Sequence, residues 1–578
     1  MKLLKPSPNL GKNDFDLSYR SLFSAKFGEL LPAYVQETIP NDKIYIRPNN
    51  LIRALPMVTS PFLRAKQHID FWFVPYSALW SRFNEFMMDK TEISSSALNG
   101  RAYIPNIGLT ELLSVVDLAS DSLTDVVGMN YKAGAIKLLD LLGYPTGQMN
   151  ISAGTISDDY RVNLFRLAAY NFIWYKEYRQ KYYDQGDYLL SSPTDPEVAR
   201  LFNFDYVLSE SKSDSYIEDV QNYAYYIKAM CQMRYRLWKK DLFTGLMPST
   251  QFGNVSTVRI DVDGGTTSND SGRWINSETH EPAVNNTNAP FGTYNRSLAQ
   301  VGVQFLSHDH AMTAGVGGFD ILSLRKSEAI QRWRENSLRA GNQIEDNWNA
   351  HYGVKNKSHL ISHPTFIGSF DAPLNIGDID STAQTGTGAN QQLASVAGKG
   401  ITSMDGRSFE FQTSDFGVII GMWSMLPEAE YNALGINRMN SLLEREDFFF
   451  PEYENLGLAP VGGENFMAGN SSGSLLPLIG YAPRYWEYKQ RFDEVHNSFM
   501  HIGNSLADFA IWASPKFDVT DALQTSQGDL PLSCLYVNPS LFDVNFGVNA
   551  SEQDQFLVDF YFQVDAIRSM SVSGMPSY

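Results

Sequence analysis

The stretch FLVDFYFQVDAI, Phe556–Ile567, alternates with a period of two. Phe556, Val558, Phe560, Phe562 and Val564 fall on one face, and Leu557, Asp559, Tyr561, Gln563 and Asp565 on the other. That is the pattern of a β-strand with one side in a core and the other outside it. Near the opposite end of the chain KIYIR, from Lys43, alternates in the same way. IDFWFV, Ile69–Val74, is apolar on both faces, as expected of a strand covered on both sides. DFGVIIGMWSM, from Asp415, reads as another strand of the buried kind. After Pro75 the period changes, and Leu79, Phe83, Phe86 and Met87 line one side of a short helix.

Between these ends the character differs. RVNLFRLAAYNFIWYKEYRQKYY, from Arg161, contains no Pro or Gly and reads as one long helix. A second helix is expected over Leu324–Gly341, with Gly341 placed to end it. Two polar, Gly-rich tracts, residues 261–297 and 381–400, have the composition of surface loops or projections. Strands at both ends with long insertions between them predict one interrupted β-sandwich over residues 1–578. Its strands lie near 43–47, 67–74, 415–425 and 556–567, and helical and loop insertions fill about 76–410.

Of the 578 residues 43% are hydrophobic and 13% aromatic, enough for a large core. The net charge of −18 repels nucleic acid at long range, so any contact with it has to be local or carried by a basic partner. Two cysteines, Cys231 and Cys534, are no disulfide framework and suit a reducing cytoplasm. MKLLKPSPNLGK lacks the apolar core of a signal peptide, and the longest uncharged apolar run, from Phe416, is too short for a membrane helix. A soluble chain with no membrane segment is expected.

Motifs for catalysis and metals all lack an essential part. GNSSG at Gly469 would offer Ser471 as a nucleophile, with His496 and His501 downstream, but the strand and helix of a nucleophile elbow are missing. HLISH at His359 has the i, i+4 spacing of a zinc helix without its Glu, and Pro364 follows at once. HDH at His308 has no third ligand nearby, and DVDGG at Asp261 lacks the acids of a calcium loop. No catalytic residue, metal ligand or cofactor is assigned, and the chain reads as a non-enzyme. Basic–aromatic clusters are the better lead. Arg161, Arg166, Lys176 and Arg179 share the long helix with Phe172, Trp174 and Tyr175, and RYRLWKKD adds Arg234, Arg236, Lys239 and Lys240 beside Tyr235 and Trp238. Cations interleaved with rings can hold single-stranded nucleic acid. A solvated basic helix face backed by a buried aromatic one gives the same pattern.

The order of several blocks resembles the major capsid proteins of the Microviridae, especially the gokushovirus-like branch. The blocks are FDLSYRSLFSAKFGELLPAYVQETIPNDKIYI from Phe15, HIDFWFVPYSALWSRFNEFM from His68, FRLAAYNFIWYKEYR from Phe165 and KKDLFTGLMPSTQFG from Lys239. RKSEAIQRWRENSLRAG from Arg325, SDFGVIIGMWSMLPEAEYNALGINRM from Ser414, DFFFPEYENLG from Asp447 and IGYAPRYWEYKQRF from Ile479 continue the series. Glu92–Asp159 and the two Gly-rich tracts match nothing in it, and the usual HFGV is HYGV here.

The resemblance implies a single jelly-roll sandwich of about eight strands. It implies self-assembly into a T=1 icosahedral shell around a circular single-stranded DNA genome, in a virion assembled in the cytoplasm of a bacterial host. Expected partners are sister copies, the packaged DNA, a small basic internal protein, minor spike or pilot proteins, and a host surface receptor. On this reading Trp80, Phe83 and Phe86 leave the sandwich to pack on a neighbouring copy or on the insertion. The competing reading is a β-sandwich that binds or cleaves carbohydrate, and a third is a stand-alone single-stranded-DNA-binding protein, which the acidity disfavours.

Overall fold

The computed structural model describes residues 12–80, 83–87, 104, 106–117, 123–146, 160–180, 227–251, 321–340, 350–352, 363–380, 396–432, 435–466, 478–499, 509–514, 532–570 and 572. The chain forms two compact units, one of Met1–Thr250 with Ala340–Tyr578 and the other of Gln251–Arg339. The described part of the smaller unit is essentially one helix, Ile321–Ala340, close to the span expected from its sequence.

The larger unit is built on two antiparallel sheets. The first contains β1 (Asn13–Asp16), β2 (Tyr19–Ala25), β4 (Lys43–Ala54), β9 (Asn375–Asp380), β10 (Val396–Asp405), β11 (Phe409–Gln412) and β17 (Phe556–Arg568). The second contains β3 (Leu31–Thr38), β5 (Ala65–Pro75), β8 (Thr365–Pro373) and β12 (Gly417–Pro427), in the order β3-β12-β5-β8. In the first sheet β17 pairs β4 from Phe556↔Ala54 to Ile567↔Lys43, and its other edge takes β2 and then β1. The long strands therefore run β2-β17-β4-β10 in one layer and β3-β12-β5-β8 in the other. Along the chain each step between them changes layer except β5 to β8. This alternation places consecutive strands in facing layers of one sandwich.

The β17 alternation is realised as expected: Phe556, Val558, Phe560, Phe562, Val564 and Ala566 are fully buried. Phe560 stacks on Phe562 at 4.9 Å, and Phe23 of β2 meets Trp423 of β12 edge-on at 5.8 Å, joining the layers. A buried polar tie crosses the same core. Asn50 of β4 and Gln67 of β5 exchange amide hydrogen bonds of 2.6 and 3.2 Å, and Gln67 also donates to Thr402 of β10 at 3.0 Å. Leaving any one of these amides unmatched in the core would cost about 1–3 kcal/mol, so the network selects one register of the two sheets.

Every residue of β12 is buried, and so is most of β5. Their inner faces meet the first sheet, with Phe71 against Phe409 and Phe73 against Phe411. Their outer faces are covered by the insertion, where Trp72 and Asp70 are bonded to Tyr178. That insertion holds α1 (Tyr76–Leu79), α2 (Phe83–Met87), the β6–β7 pair (Asn106–Gly108 with Arg161–Asn163), α3 (Leu109–Asp117), α4 (Tyr131–Leu141) and α5 (Phe165–Ile173). Short pairs β13–β16 (Tyr431–Asn432, Glu494–Val495) and β14–β15 (Leu458–Gly462, Leu478–Pro483) complete the unit. No described helix is long and apolar enough to cross a membrane.

Two local expectations are corrected. The long helix from Arg161 begins only at Phe165, because Arg161–Asn163 pair with β6 as a strand. From Trp174 to Tyr178 it widens into a π-turn, closed by Arg179 N–H donating to the Trp174 carbonyl. Residues 181–183 lie outside the described residues, as does the tract 261–297. The tract 381–400 ends not as surface loop but as β10, whose Gly398 exchanges backbone hydrogen bonds with Met57. A Cβ on Gly398 would lie 2.1 Å from the Thr59 carbonyl oxygen, so glycine here serves close backbone approach.

Between α3 and α4, Asp125 accepts from the N–H groups of Val127 and Met129, at 3.0 and 2.9 Å. Burial pushes its carboxyl up to about 6, against the opposing pull of Tyr235 and those two N–H groups. With the folded value above the unfolded 3.8, the unfolded chain releases the proton first as pH rises. Stability is therefore lost between about pH 4 and 6, by about 2–3 kcal/mol from this group alone. Asp125→Asn is expected to flatten that slope, read from thermal unfolding midpoints across the interval.

Candidate nucleic-acid interface

RYRLWKK, Arg234–Lys240, is an extended segment held on two sides by backbone. Leu30 N–H donates to the Arg234 carbonyl and Arg236 N–H to the Gly28 carbonyl, at 2.9 and 2.8 Å. On the other side Val537 N–H donates to the Arg236 carbonyl and Trp238 N–H to that of Leu535, both at 3.0 Å. Gly28 has φ +74°, and a Cβ there would lie 2.6 Å from the Val537 carbonyl oxygen, so only glycine fits that crossing.

Alternation along the segment carries Arg234 and Arg236 to the aromatic side of the π-turn. Arg234 is buried, its guanidinium 4.2 Å from the centre of the Trp174 ring. It donates to Asn171 Oδ1 at 3.1 Å, to the Ala229 carbonyl at 2.9 Å and to Gln232 Oε1 at 3.2 Å. Arg236 lies 4.9 Å from the Tyr178 ring, pairs with Asp70 at 3.1 Å and donates to Ser424 Oγ at 3.1 Å. Tyr178 O–H in turn donates to Asp70 at 2.7 Å and accepts from Trp72 Nε1 at 3.0 Å. Burial first, and then the Asp70 carboxylate, push the Tyr178 hydroxyl well above its ordinary range.

Beside this chain of bonds opens a cleft of about 470 Å³, lined by Trp72, Arg236, Trp238, Lys239, Lys240 and Phe366 among others. Its ionised side chains are balanced. Lys66, Arg236, Lys239 and Lys240 face Asp70, Glu177, Asp371 and Glu428. His68, also on the wall, is held below its ordinary value by burial and by Arg236. Lys239 is well exposed, with a long 3.6 Å contact to Glu428, and Lys240 is exposed beside it.

The eight cations singled out in the sequence thus divide. Arg234 and Arg179 are buried, Arg179 with its guanidinium 4.5 Å from the Tyr175 ring, so neither can meet a phosphate in this fold. The rings and guanidinium groups stack on one another within the protomer because the π-turn packs face to face with the 234–240 segment. Arg166 pairs with Glu37 and donates to the Leu142 carbonyl at 2.9 Å, while Arg161 is exposed on β7 and bonded to Asn106. Lys176, half-buried beside Tyr175, and Lys239 and Lys240 at the cleft mouth retain contact with solvent.

Trp80, Phe83 and Phe86 also turn inward. Trp80 and Phe83 are buried within the protomer, where Phe83 packs on Tyr76, Phe165 and Phe416, and Phe86 sits half-buried against Trp80. Helices α1 and α2 fold back on α5, so of the two uses expected for these residues the structure supports packing on the insertion. Ser471, His501, His359, His308 and Asp261 lie outside the described residues. His496 is exposed beside Glu494, and His363 is buried against Glu177. Among the described residues no group of three or more His, Cys, Asp and Glu side chains is arranged to hold a metal. The Asp70–Tyr178–Trp72 relay was not visible in the sequence. Its only signal was a lone Asp in an otherwise apolar strand.

The model of the capsid protein (F protein) family matches residues 6–578. The chain is 22% identical to the capsid protein VP1 of Chlamydia phage 1, an alignment covering 99% of this chain and 96% of that protein. It is 21% identical to the capsid protein VP1 of Bdellovibrio phage phiMH2K, with the same coverage of 99% and 96%. A match over nearly the whole chain, on a mainly-β sandwich with long insertions, establishes that this chain belongs to the phage capsid protein (F protein) family.

Proposed function

We propose that copies of this chain self-assemble into a T=1 icosahedral shell around circular single-stranded DNA, and that the sandwich in each copy is a jelly roll forming one interrupted domain with its insertions. The observation that carries the reading is the family match from residue 6 to residue 578. As a member of a capsid family the chain is a structural component of the virion and works as an oligomer. The strand order β2-β17-β4-β10 over β3-β12-β5-β8 supports the jelly roll. Carbohydrate binding finds no support in the relatives.

At −18 per copy, bulk charge opposes DNA, so retention has to rest on local cations, a small basic internal protein, or bound counter-ions. Within the chain we assign the local part to Lys176, Lys239 and Lys240. Electron microscopy and gradient sedimentation of the purified protein test assembly, and persistent monomers in every buffer would sink it. For the DNA contact, Lys239→Ala with Lys240→Ala is expected to reduce the slope of log K against log salt by about 1.4, the release expected from two single-strand phosphate contacts. A slope equal to that of the wild type would remove these two lysines from the interface.

A further inference from the structure

The segment 436–456 inverts the usual logic of a monomer surface. Its backbone is ordered by polar devices: Asn437 caps the turn Arg438–Ser441, and Glu444 and Asp447 form a reciprocal capping box around Arg445–Asp447. Ion pairs Arg438–Asp447 and Glu454–Lys489, at 3.0 and 3.1 Å, and the Tyr485 hydroxyl on the Glu446 carbonyl fasten it down. None of the residues in its three helical turns is buried. Meanwhile its apolar side chains face outward. Leu443 is 87% exposed, Leu456 63% and Phe448 50%, with Phe449, Phe450 and Tyr488 exposed beside them. Phe449 meets the buried Tyr485 edge-on at 5.3 Å, which brings the 448–450 and 485–488 stretches together.

From their fractional exposures and the usual areas of such side chains, these six residues together present on the order of 700 Å² of mostly apolar surface. That exceeds the largest patch of a typical monomer and approaches the roughly 800 Å² per partner of a stable protein interface. We propose that it is a contact between copies of this chain, resting on the shell reading above. Exposed Glu444, Glu446 and Glu452 outnumber exposed Arg445, and Lys489 is paired with Glu454, so the face is net acidic. Two identical faces would therefore repel, and the contact is heterologous: it meets a different face of the next copy, as contacts around the three- and five-fold axes of a shell do.

The test uses Leu443→Cys in the full chain. Maleimide labelling is compared between assembled shells and the dissociated protomer, with the wild type as background for the buried Cys231 and half-buried Cys534. Labelling at least tenfold slower in the shell is expected; equal rates overturn the proposal. As a second arm, Leu443→Asp with Leu456→Asp is expected to abolish shells without moving the unfolding midpoint of the protomer. Shells from that variant at wild-type yield also overturn it. A wild-type chain that never assembles would instead sink the shell reading itself, so the two failures are distinguishable.

Discussion

Arg234→Met is expected to destabilise the protein by about 3–5 kcal/mol while leaving the salt dependence of DNA retention unchanged. Methionine keeps the apolar stem but removes the guanidinium from the Trp174 face. It also takes away the donor to Asn171 Oδ1 and Gln232 Oε1 and leaves the Ala229 carbonyl only its long 3.4 Å bond from the Gln232 N–H. The loss should fall on the joint between the π-turn and the 234–240 segment, which covers the outer face of β5 and β12. Lys239→Ala is the control. On an exposed side chain it should move stability by no more than about 0.5 kcal/mol. Thermal unfolding midpoints and salt titrations on the same pair of variants separate a structural arginine from a DNA contact. If Arg234→Met changed the salt slope and spared the midpoint, the assignment made here would be reversed.

Lys137→Met should cost about 3–5 kcal/mol at neutral pH, because it strips the cation from two carboxylates the fold has taken out of water. Lys137 Nζ, on α4, lies 2.9 Å from Glu29 and 2.7 Å from Asp554, and Glu29 is buried. Burial alone would pull the ammonium down, but Glu29 and Asp554 outweigh it and hold Lys137 above its ordinary value. Burial likewise pushes Asp554 up, and Lys137, with help from Ser24 and Lys26, brings it below its ordinary value. In the wild type the Asp554 contribution is present above the unfolded value of 3.8 and lost as pH falls through the depressed one. In the variant the sign reverses. Glu29 then has no ammonium beside it and Asp554 only the more distant Lys26, so the carboxylates gain by taking up protons and the deficit against wild type should shrink from pH 7.5 to pH 5. A deficit constant across that range would show that packing, not charge, is what Lys137 supplies.

The two kinds of residue explain what was legible in advance. Phe556–Val564 announced its strand because a half-buried strand writes its two environments into alternate positions. Ile69–Val74 and the stretch from Asp415 announced burial on both faces, and β5 and β12 are the strands that the insertion covers from outside. The basic–aromatic segments were a different matter. Arg234 and Lys239 sit in one short run with the same chemistry, yet one is buried on Trp174 and the other is at a cleft mouth. Local pattern records that cations and rings are neighbours, not which of them faces water. Trp80 and Phe83 left two uses open for the same reason, since an aromatic side chain suits a sister copy and an internal α5 equally well.

Periodicity alone pointed to a β-sandwich and located β4, β5, β12 and β17, while the resemblance of the motif blocks pointed to the family; β2, β3, β8 and β10 went unread. What was legible follows from contrasts between apolar and polar positions and from short motifs, which are local. The pairing of Phe556 with Ala54, the Asn50–Gln67 tie, the burial of Arg234 and the outward face at Leu443 were decided only in three dimensions. Each depends on segments that are not neighbours in sequence meeting at one point, where desolvation sets whether a side chain stabilises the core or waits for a partner.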